Sequence, residues 1–441
     1  MSADGGQERS EGQLGVVDLF SGAGGLSEGF RQAGYRVLAG SDIDPDACAT
    51  YALNFPEART INGDIRQAAV RRDVLDAAAG AHVVIGGPPC QAFSQVRNHC
   101  RIIDDPRNSL YGEFVRVVAK VEPKAFVMEN VPGLDQMGIK EQVLADLALR
   151  GTYRVKVQVV DAADFGVPQT RQRIVFIGLH SSLGLDPPAV RGSGAASALF
   201  LERRNGTSRV QYEVCERARL FGGLLEKLRD PDDAGLVTAA QAIGDFGVLK
   251  AGERRDSLGL GELLPPSAEY QRRMREGVGD TIANTSVPRI NSDTKIRLSG
   301  LPPGGNVHDL PEEMTERYLT GELWGPHNGS GRLGRRHYYA YRRLHPGLWS
   351  WTLNTKADSV YHYKDRRALS VREFARLQSF PDRFIFTTDP RRGPLPGRIE
   401  GGAAHSRYRQ AGNAVPPLLA RSIAGTLLRF LASTRGSRKT A

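Results

Sequence analysis

Four cysteines occur in the chain, and one of them, Cys90, stands where the backbone is stiffest. In "VVIGGPPCQAFS", running from Val83 to Ser94, it follows two glycines and two prolines straight after a short apolar run. A free cysteine is ordinarily a small buried hydrophobe. A thiol is also partly ionised near neutral pH and intrinsically nucleophilic, and Pro88 and Pro89 restrict the loop that would aim it. Neither Cys90 nor Cys48, Cys100 and Cys215 pair at CxxC spacing, and no histidine array lies near them. A metal site and a disulfide framework are therefore not expected, and a reduced, cytoplasmic protein is the simplest reading.

A second group of residues suits a small ligand. "DLFSGAGGLSEGF" joins an apolar run to a helical stretch through Gly22, Gly24 and Gly25, where a backbone can turn tightly and admit a ligand. The pattern departs from GxGxxG, which counts against a pyrophosphate-binding site. Asp42, at the end of "YRVLAGSDI", suits the hydroxyls of a ribose, whereas Asp44 reads as a helix cap. Asp64 in "NGDI" could accept from an exocyclic amine, with Ile65 packing on an adenine. Together these residues describe a nucleoside pocket without a phosphate cradle.

The elements that must position them alternate. "LGVVDLF", "YRVLAGSDI", "HVVIGG" and "AFVMEN" read as strands, separated by helical stretches and ending in polar turns; "YRVKVQVVDAADFGV" and "RIVFIGL" read as a later strand pair. This order predicts an α/β fold, a doubly wound and mostly parallel sheet with ligands beyond the carboxyl ends of its strands. Roughly 190 residues then separate "RIVFIG" from "RRALSVREFARLQSFP", too many for a loop in a compact domain. The expected organisation is a disordered leader over 1–13, a catalytic domain over 14–178, and an inserted smaller domain over 179–355. A C-terminal part over 356–435 returns to the first domain, and 436–441 form a disordered tail. No uninterrupted apolar run approaches the roughly 20 residues that cross a bilayer.

Four stretches, "DLFSGAGG", "GGPPCQAFS", "MENVPG" and "QTRQRIVFIG", together with "RRALSVREFARLQSFPD" and "YRQAGNAVPP" near the C-terminus, strongly resemble the DNA (cytosine-5) methyltransferase family, of the bacterial modification type. The resemblance implies a Rossmann-like fold, S-adenosyl-L-methionine as methyl donor, and Cys90 as the nucleophile that adds to carbon 6 of cytosine. It implies Glu129 at ring nitrogen 3, a carboxyl that needs partial burial to hold a proton, and Arg171 and Arg173 near the catalytic loop and the base oxygen. For the donor it implies Phe20, Gly22, Gly24, Gly25, Leu26, Asp42, Ile43, Asp64, Ile65, Pro88, Asn413 and Ala414. Ile43 replaces a frequent aromatic ring, and Ala414 a frequent serine.

Charge agrees with a polyanionic partner: 59 Lys and Arg against 49 Asp and Glu give a formal net charge of +10. Sequence choice on duplex DNA falls to the insert, where "GSGRLGRRHYYAYRRLHPG" mixes arginine, glycine and tyrosine. The expected DNA contacts are Arg332, Arg335, Arg336, Arg342 and Arg343, with Gln91 and Ser94 beside the thiol meeting the extruded nucleotide. A monomer is expected, with a cognate restriction endonuclease acting separately. The competing readings are a tRNA cytosine-5 methyltransferase and an inactive DNA-binding subunit of the same fold.

Overall fold

A parallel sheet covered on both faces demands largely buried, apolar strands, and four segments supply them. They are β1 (Gly15–Leu19), β2 (Arg36–Asp42), β4 (Val83–Gly86) and β5 (Ala125–Asn130). The computed structural model describes residues 13–89, 109–132, 140–194, 196, 236–305, 309–311, 313–314, 342–392 and 403–437. With β3 (Arg59–Asn62), β6 (Tyr153–Asp161) and β7 (Gln172–His180) these strands form one seven-stranded sheet in the order β3-β2-β1-β4-β5-β7-β6. All neighbours from β3 to β5 pair in parallel, while β7 runs antiparallel to both β5 and β6. The chain winds outward from β1 in one direction through β2 and β3, then restarts beside β1 with β4. That reversal opens a crevice at the carboxyl ends of β1 and β4, the place where doubly wound sheets take ligands.

Helices cover both faces. On one, α1 (Gly25–Gln32) and α2 (Pro45–Asn54) bury Leu26, Phe30, Tyr51 and Phe55. Asp44 caps α2 as its sequence suggests, accepting from the Asp46 N–H. On the other, α3 (Ala68–Ala78), α4 (Ser109–Val121) and α5 (Lys140–Leu147) enclose Val74, Phe114, Val117 and Leu147. The C-terminal helices α10 (Ala403–Asn413) and α11 (Pro417–Ser437) return to the first face, where a Cβ on Gly29 of α1 would stand 2.3 Å from the Ala420 Cβ. The helical stretch Ser406–Ser433 is apolar and long enough to cross a bilayer, yet 56% of its apolar window is buried inside the protein, as a core helix should be.

Between these halves lie α6 (Ala239–Ile243), β8 (Ser257–Gly259), α7 (Glu269–Met274), β9 (Thr281–Ala283), α8 (Ser292–Gly300) and α9 (Val371–Leu377). The described part of the expected insert has a small cluster of its own at Leu298, Leu301 and Leu310, but most of its apolar residues pack elsewhere. Ala242, Ile243, Phe246, Tyr270 and Ile282 share one apolar cluster with Val371, Phe374 and the C-terminal helices. Packing is therefore continuous across the boundary expected at 355.

The seam is ionic. Arg367, Arg372 and Arg376, all in the stretch "RRALSVREFARLQ", are fully buried. Arg376 binds Asp382 through Nε at 2.7 Å and Nη2 at 2.6 Å, and reaches Asp245 Oδ1 at 3.1 Å and the Ala242 carbonyl at 2.9 Å. Arg372 donates to the carbonyls of Ala283, Pro381 and Phe384. Removing one member of such a cluster strands its partners without water. We expect Arg376→Met to lower stability by about 3–5 kcal/mol, read from urea unfolding, whereas Arg272→Ala at the exposed pair with Glu269 changes it by less than about 1 kcal/mol. Equal effects from both variants would contradict a stabilising role for the seam.

Candidate active site

The turn after β1 begins with Phe20 in the left-handed region at φ 57° and continues through Gly22, with open space beside its Cα. The Gly22 N–H donates to Asp42 Oδ2 at 2.8 Å, and the Asp44 N–H to Asp42 Oδ1 at 2.8 Å. Asp42 thus fixes the loop and still has lone pairs for a ribose diol. Burial lifts its carboxyl above the ordinary range, and these backbone donors pull against that. Ile43 beside it is 64% exposed, an apolar surface at the mouth of the crevice. Asn413 is exposed and Ala414 half-buried. A side chain at Gly25 would stand 2.2 Å from the Val415 carbonyl and 3.2 Å from the Ala414 Cβ, so the C-terminal return closes directly on the glycine loop. An open glycine turn, a strand-end carboxylate and an exposed aliphatic face suit a nucleoside with an amino-acid tail.

Two of the expected adenine contacts sit differently. Ile65 is buried within the core beneath α3, so its side chain packs on protein, and Ile43 is the open apolar surface. Asp64 is held by Arg66 through Nε at 2.9 Å and Nη2 at 2.6 Å, and this hydrogen-bonded pair keeps its carboxyl below the usual range. An incoming amine there would share Asp64 with Arg66.

The reacting edge lies at the ends of β4 and β5. Glu129 is buried, and Arg173 Nε reaches its Oε1 at 2.5 Å. The β5–β7 register sets Glu129 opposite Val175 and Asn130 opposite Ile174, so Arg173 falls one residue past the end of the ladder, beside the carboxyl. Gly87 leaves the carboxyl room, since a Cβ there would stand 2.9 Å from Glu129 Oε2. Arg171 is fully enclosed, donating to the Leu353 carbonyl at 3.2 Å and the Gly412 carbonyl at 2.7 Å. Its Nε is buried without a partner, and burial draws the guanidinium well below its usual basicity. It ties the β6–β7 turn to the C-terminal return.

One contributor escaped the sequence reading. Asn130 is buried, donates from Nδ2 to the Pro88 carbonyl at 3.0 Å, and accepts the Val131 N–H at 2.8 Å. It locks the segment that leads into Cys90; the signal was its place in "MENVPG". Cys90 itself, with Gln91, Ser94, Arg332, Arg335 and Arg336, lies outside the described residues. Arg342 lies 5.6 Å from the Trp351 ring centroid, and Arg343 donates to the carbonyls of Leu301 and Lys364 at 2.5 and 3.0 Å. Those bonds make Arg343 the internal root of the arginine-rich stretch. No group of three or more His, Cys, Asp or Glu suited to a metal occurs among the described residues.

A doubly wound sheet carrying this nucleoside cradle beside a buried acid–arginine pair defines an α/β methyltransferase. A model of the C-5 cytosine-specific DNA methylase family matches residues 14–210 and 309–429. The Type II methyltransferase M1.HphI of Haemophilus parahaemolyticus is 33% identical over 427 residues, covering 95% of this chain and 87% of its own. M.AgeI of Thalassovita gelatinovora is 31% identical over 461 residues, covering 93% and 98%. A solved Escherichia coli structure, titled a putative DNA modification methyltransferase encoded within a prophage, superposes with a TM-score of 0.63 at 25% identity, covering 95% of this chain and all of that one. The chain belongs to the C-5 cytosine-specific DNA methylase family. It is accordingly a DNA (cytosine-5-)-methyltransferase that draws its methyl group from S-adenosylmethionine.

The Asn130 tether generates a prediction. Displacing a reacting group by about 1 Å can cost on the order of 100-fold in rate. Asn130→Ala is expected to lower kcat by about 10–100-fold, with little change in the KM for DNA, in a radiolabelled methyl-transfer assay. An unchanged kcat would show that Pro88 needs no such anchor.

Proposed function

We propose that this enzyme methylates carbon 5 of a cytosine swung out of a specific duplex sequence, through a transient bond to Cys90, as the modification half of a restriction–modification pair. Its endonuclease acts separately, and the enzyme works as a monomer in the cytoplasm. The observation that carries the reading is the buried Glu129–Arg173 pair beside the anchored Pro88 segment that leads into Cys90.

The chemistry follows from what cytosine lacks. Carbon 5 is a poor nucleophile until the Cys90 thiolate adds to carbon 6 and drives electron density onto it. That addition builds negative charge on ring nitrogen 3 and the carbonyl oxygen. Glu129 meets nitrogen 3 and the Arg173 guanidinium, permanently charged, lies beside it, so stabilisation is preorganised where charge appears. When bound, S-adenosylmethionine would supply an electrophilic methyl group, and Phe20, the Gly22–Leu26 turn, Asp42, Ile43, Asp64, Pro88, Asn413 and Ala414 would hold it. Loss of the carbon 5 proton and departure of the thiolate restore the ring.

Extrusion of the base costs a few kcal/mol, which contacts from Gln91, Ser94 and the arginine-rich stretch offset. The stretch of 211–308 that the family model leaves unmatched is where a recognition element can vary between relatives. The long arginine-rich insert favours duplex DNA over tRNA. Retention of Cys90, Glu129 and Arg171 together speaks against an inactive binding subunit.

Bisulfite sequencing of a bacterial host expressing the enzyme is expected to reveal 5-methylcytosine at one recurring sequence, and none with Cys90→Ser. Duplex DNA bearing 5-fluorocytosine at that target should retain the wild-type protein as a denaturation-resistant adduct, because fluorine cannot leave as a proton does. Methylation by the Cys90→Ser variant, or free migration of the treated wild type, would refute the thiol route.

A further inference from the structure

Asp18 lies in β1, directly before the glycine turn, and takes no part in the chemistry above. It is completely buried. Its Oδ2 accepts from Ser27 Oγ at 2.7 Å, and Ser27 Oγ lies 2.8 Å from Tyr51 Oη, while its Oδ1 is buried with no hydrogen-bond partner. Among the described residues no cation acts on it. Its one charged neighbour is Asp42, at the other flank of the same turn, and that carboxylate opposes its ionisation. A buried carboxyl with an unused oxygen, no counter-ion and a second acid across the turn needs a positive charge in order to ionise.

We propose that Asp18 senses the charge of the ligand on the glycine turn, ionising when the sulfonium of S-adenosylmethionine binds and taking a proton when the neutral thioether of the product replaces it. This rests on the S-adenosylmethionine assignment and extends it to discrimination between donor and spent product. The proton balance is simple. Donor binding releases the Asp18 proton to solvent, and loss of the sulfonium charge on methyl transfer lets one return. Ligand exchange is eased because the product no longer compensates an ionised carboxylate.

The direction with pH follows. Burial pushes the Asp18 carboxyl up to about 7 in the free protein. From α1 the Ser27 hydroxyl and N–H favour its ionised form. From α2 comes Tyr51, whose hydroxyl burial keeps protonated, and from β2 comes Asp42. Below that pH, donor binding must first expel a proton; above it, the carboxylate is already charged and the sulfonium is fully favoured. The preference for donor over product therefore strengthens as pH rises through about 7.

Titration calorimetry of S-adenosylmethionine and S-adenosylhomocysteine against the full chain between pH 5.5 and 8.5 tests this. A one-unit displacement of the carboxyl's titration is a factor of ten, so the ratio of the two affinities should rise about tenfold across the range. Buffers of different ionisation enthalpy should report more proton release for the donor than for the product near pH 7. Asp18→Asn keeps an acceptor for Ser27 without the charge, and should flatten both readouts. Ser27→Ala removes a donor that favours ionisation, and should move the midpoint to higher pH. A flat ratio in the wild type, or a wild-type rise in Asp18→Asn, overturns the proposal. Failure of either ligand to bind the wild type would instead strike at the S-adenosylmethionine assignment on which it stands.

Discussion

Glu129 and Arg173 meet because β7 runs against the direction of its neighbours. Parallel strands deliver their carboxyl ends to one edge, so β5 presents Glu129 and Asn130 there. The amino end of an antiparallel β7 arrives at that same edge; a parallel β7 of this length would carry Arg173 away by about 25 Å, at ~3.3 Å per residue. A carboxylate taken out of water without a partner loses several kcal/mol, and the guanidinium at 2.5 Å offsets part of that cost while leaving Oε2 directed toward Gly87. Strand direction, burial and the acid's availability are one constraint.

The rest of the site is built around that edge from distant chain segments. Asn130 fixes Pro88 on one side, and Arg171 reaches Leu353 and Gly412 on the other. The glycine turn is steadied from two directions, by Asp42 from β2 and by Val415 from the C-terminal return. The return is held in turn by Gln378, whose amide donates to the Ala411 carbonyl at 2.8 Å, and by Tyr408, whose hydroxyl donates to the Leu369 carbonyl at 2.6 Å. The donor cradle and the cytosine edge therefore share their supports. A shift of the segment over 239–283 against α9 would reach both.

How much of this could be read beforehand depended on whether a signal was local. The strands of the parallel sheet were legible because burial on both faces leaves continuous apolar runs, and Asp44 because capping needs one carboxylate at one position. The glycine turn and its bond to Asp42 were legible through glycine spacing and the carboxylate that ends the next strand. Ile65 and Asp64 were less so, since the sequence cannot say that one faces the core or that Arg66, two residues on, turns back onto the other. Arg367, Arg372 and Arg376 of "RRALSVREFARLQ" are interior although arginine is usually exposed; Glu373 and Asp382 nearby in the chain, with the remote Asp245 and backbone carbonyls, make burial tolerable. Arg343 likewise has partners that its local sequence does not reveal, carbonyls supplied by remote turns. The tether from Asn130 to Pro88 was invisible because it crosses from one strand end to another.

A double-mutant cycle on Glu129 and Arg173 probes the central claim most directly, comparing kcat/KM for Glu129→Gln, Arg173→Gln and the pair. If the two act as one unit, the double variant will be no slower than the slower single variant, within about threefold. Losses that multiply, each substitution imposing its full penalty regardless of the other, would mean that the two side chains serve separate ends and that their contact is incidental.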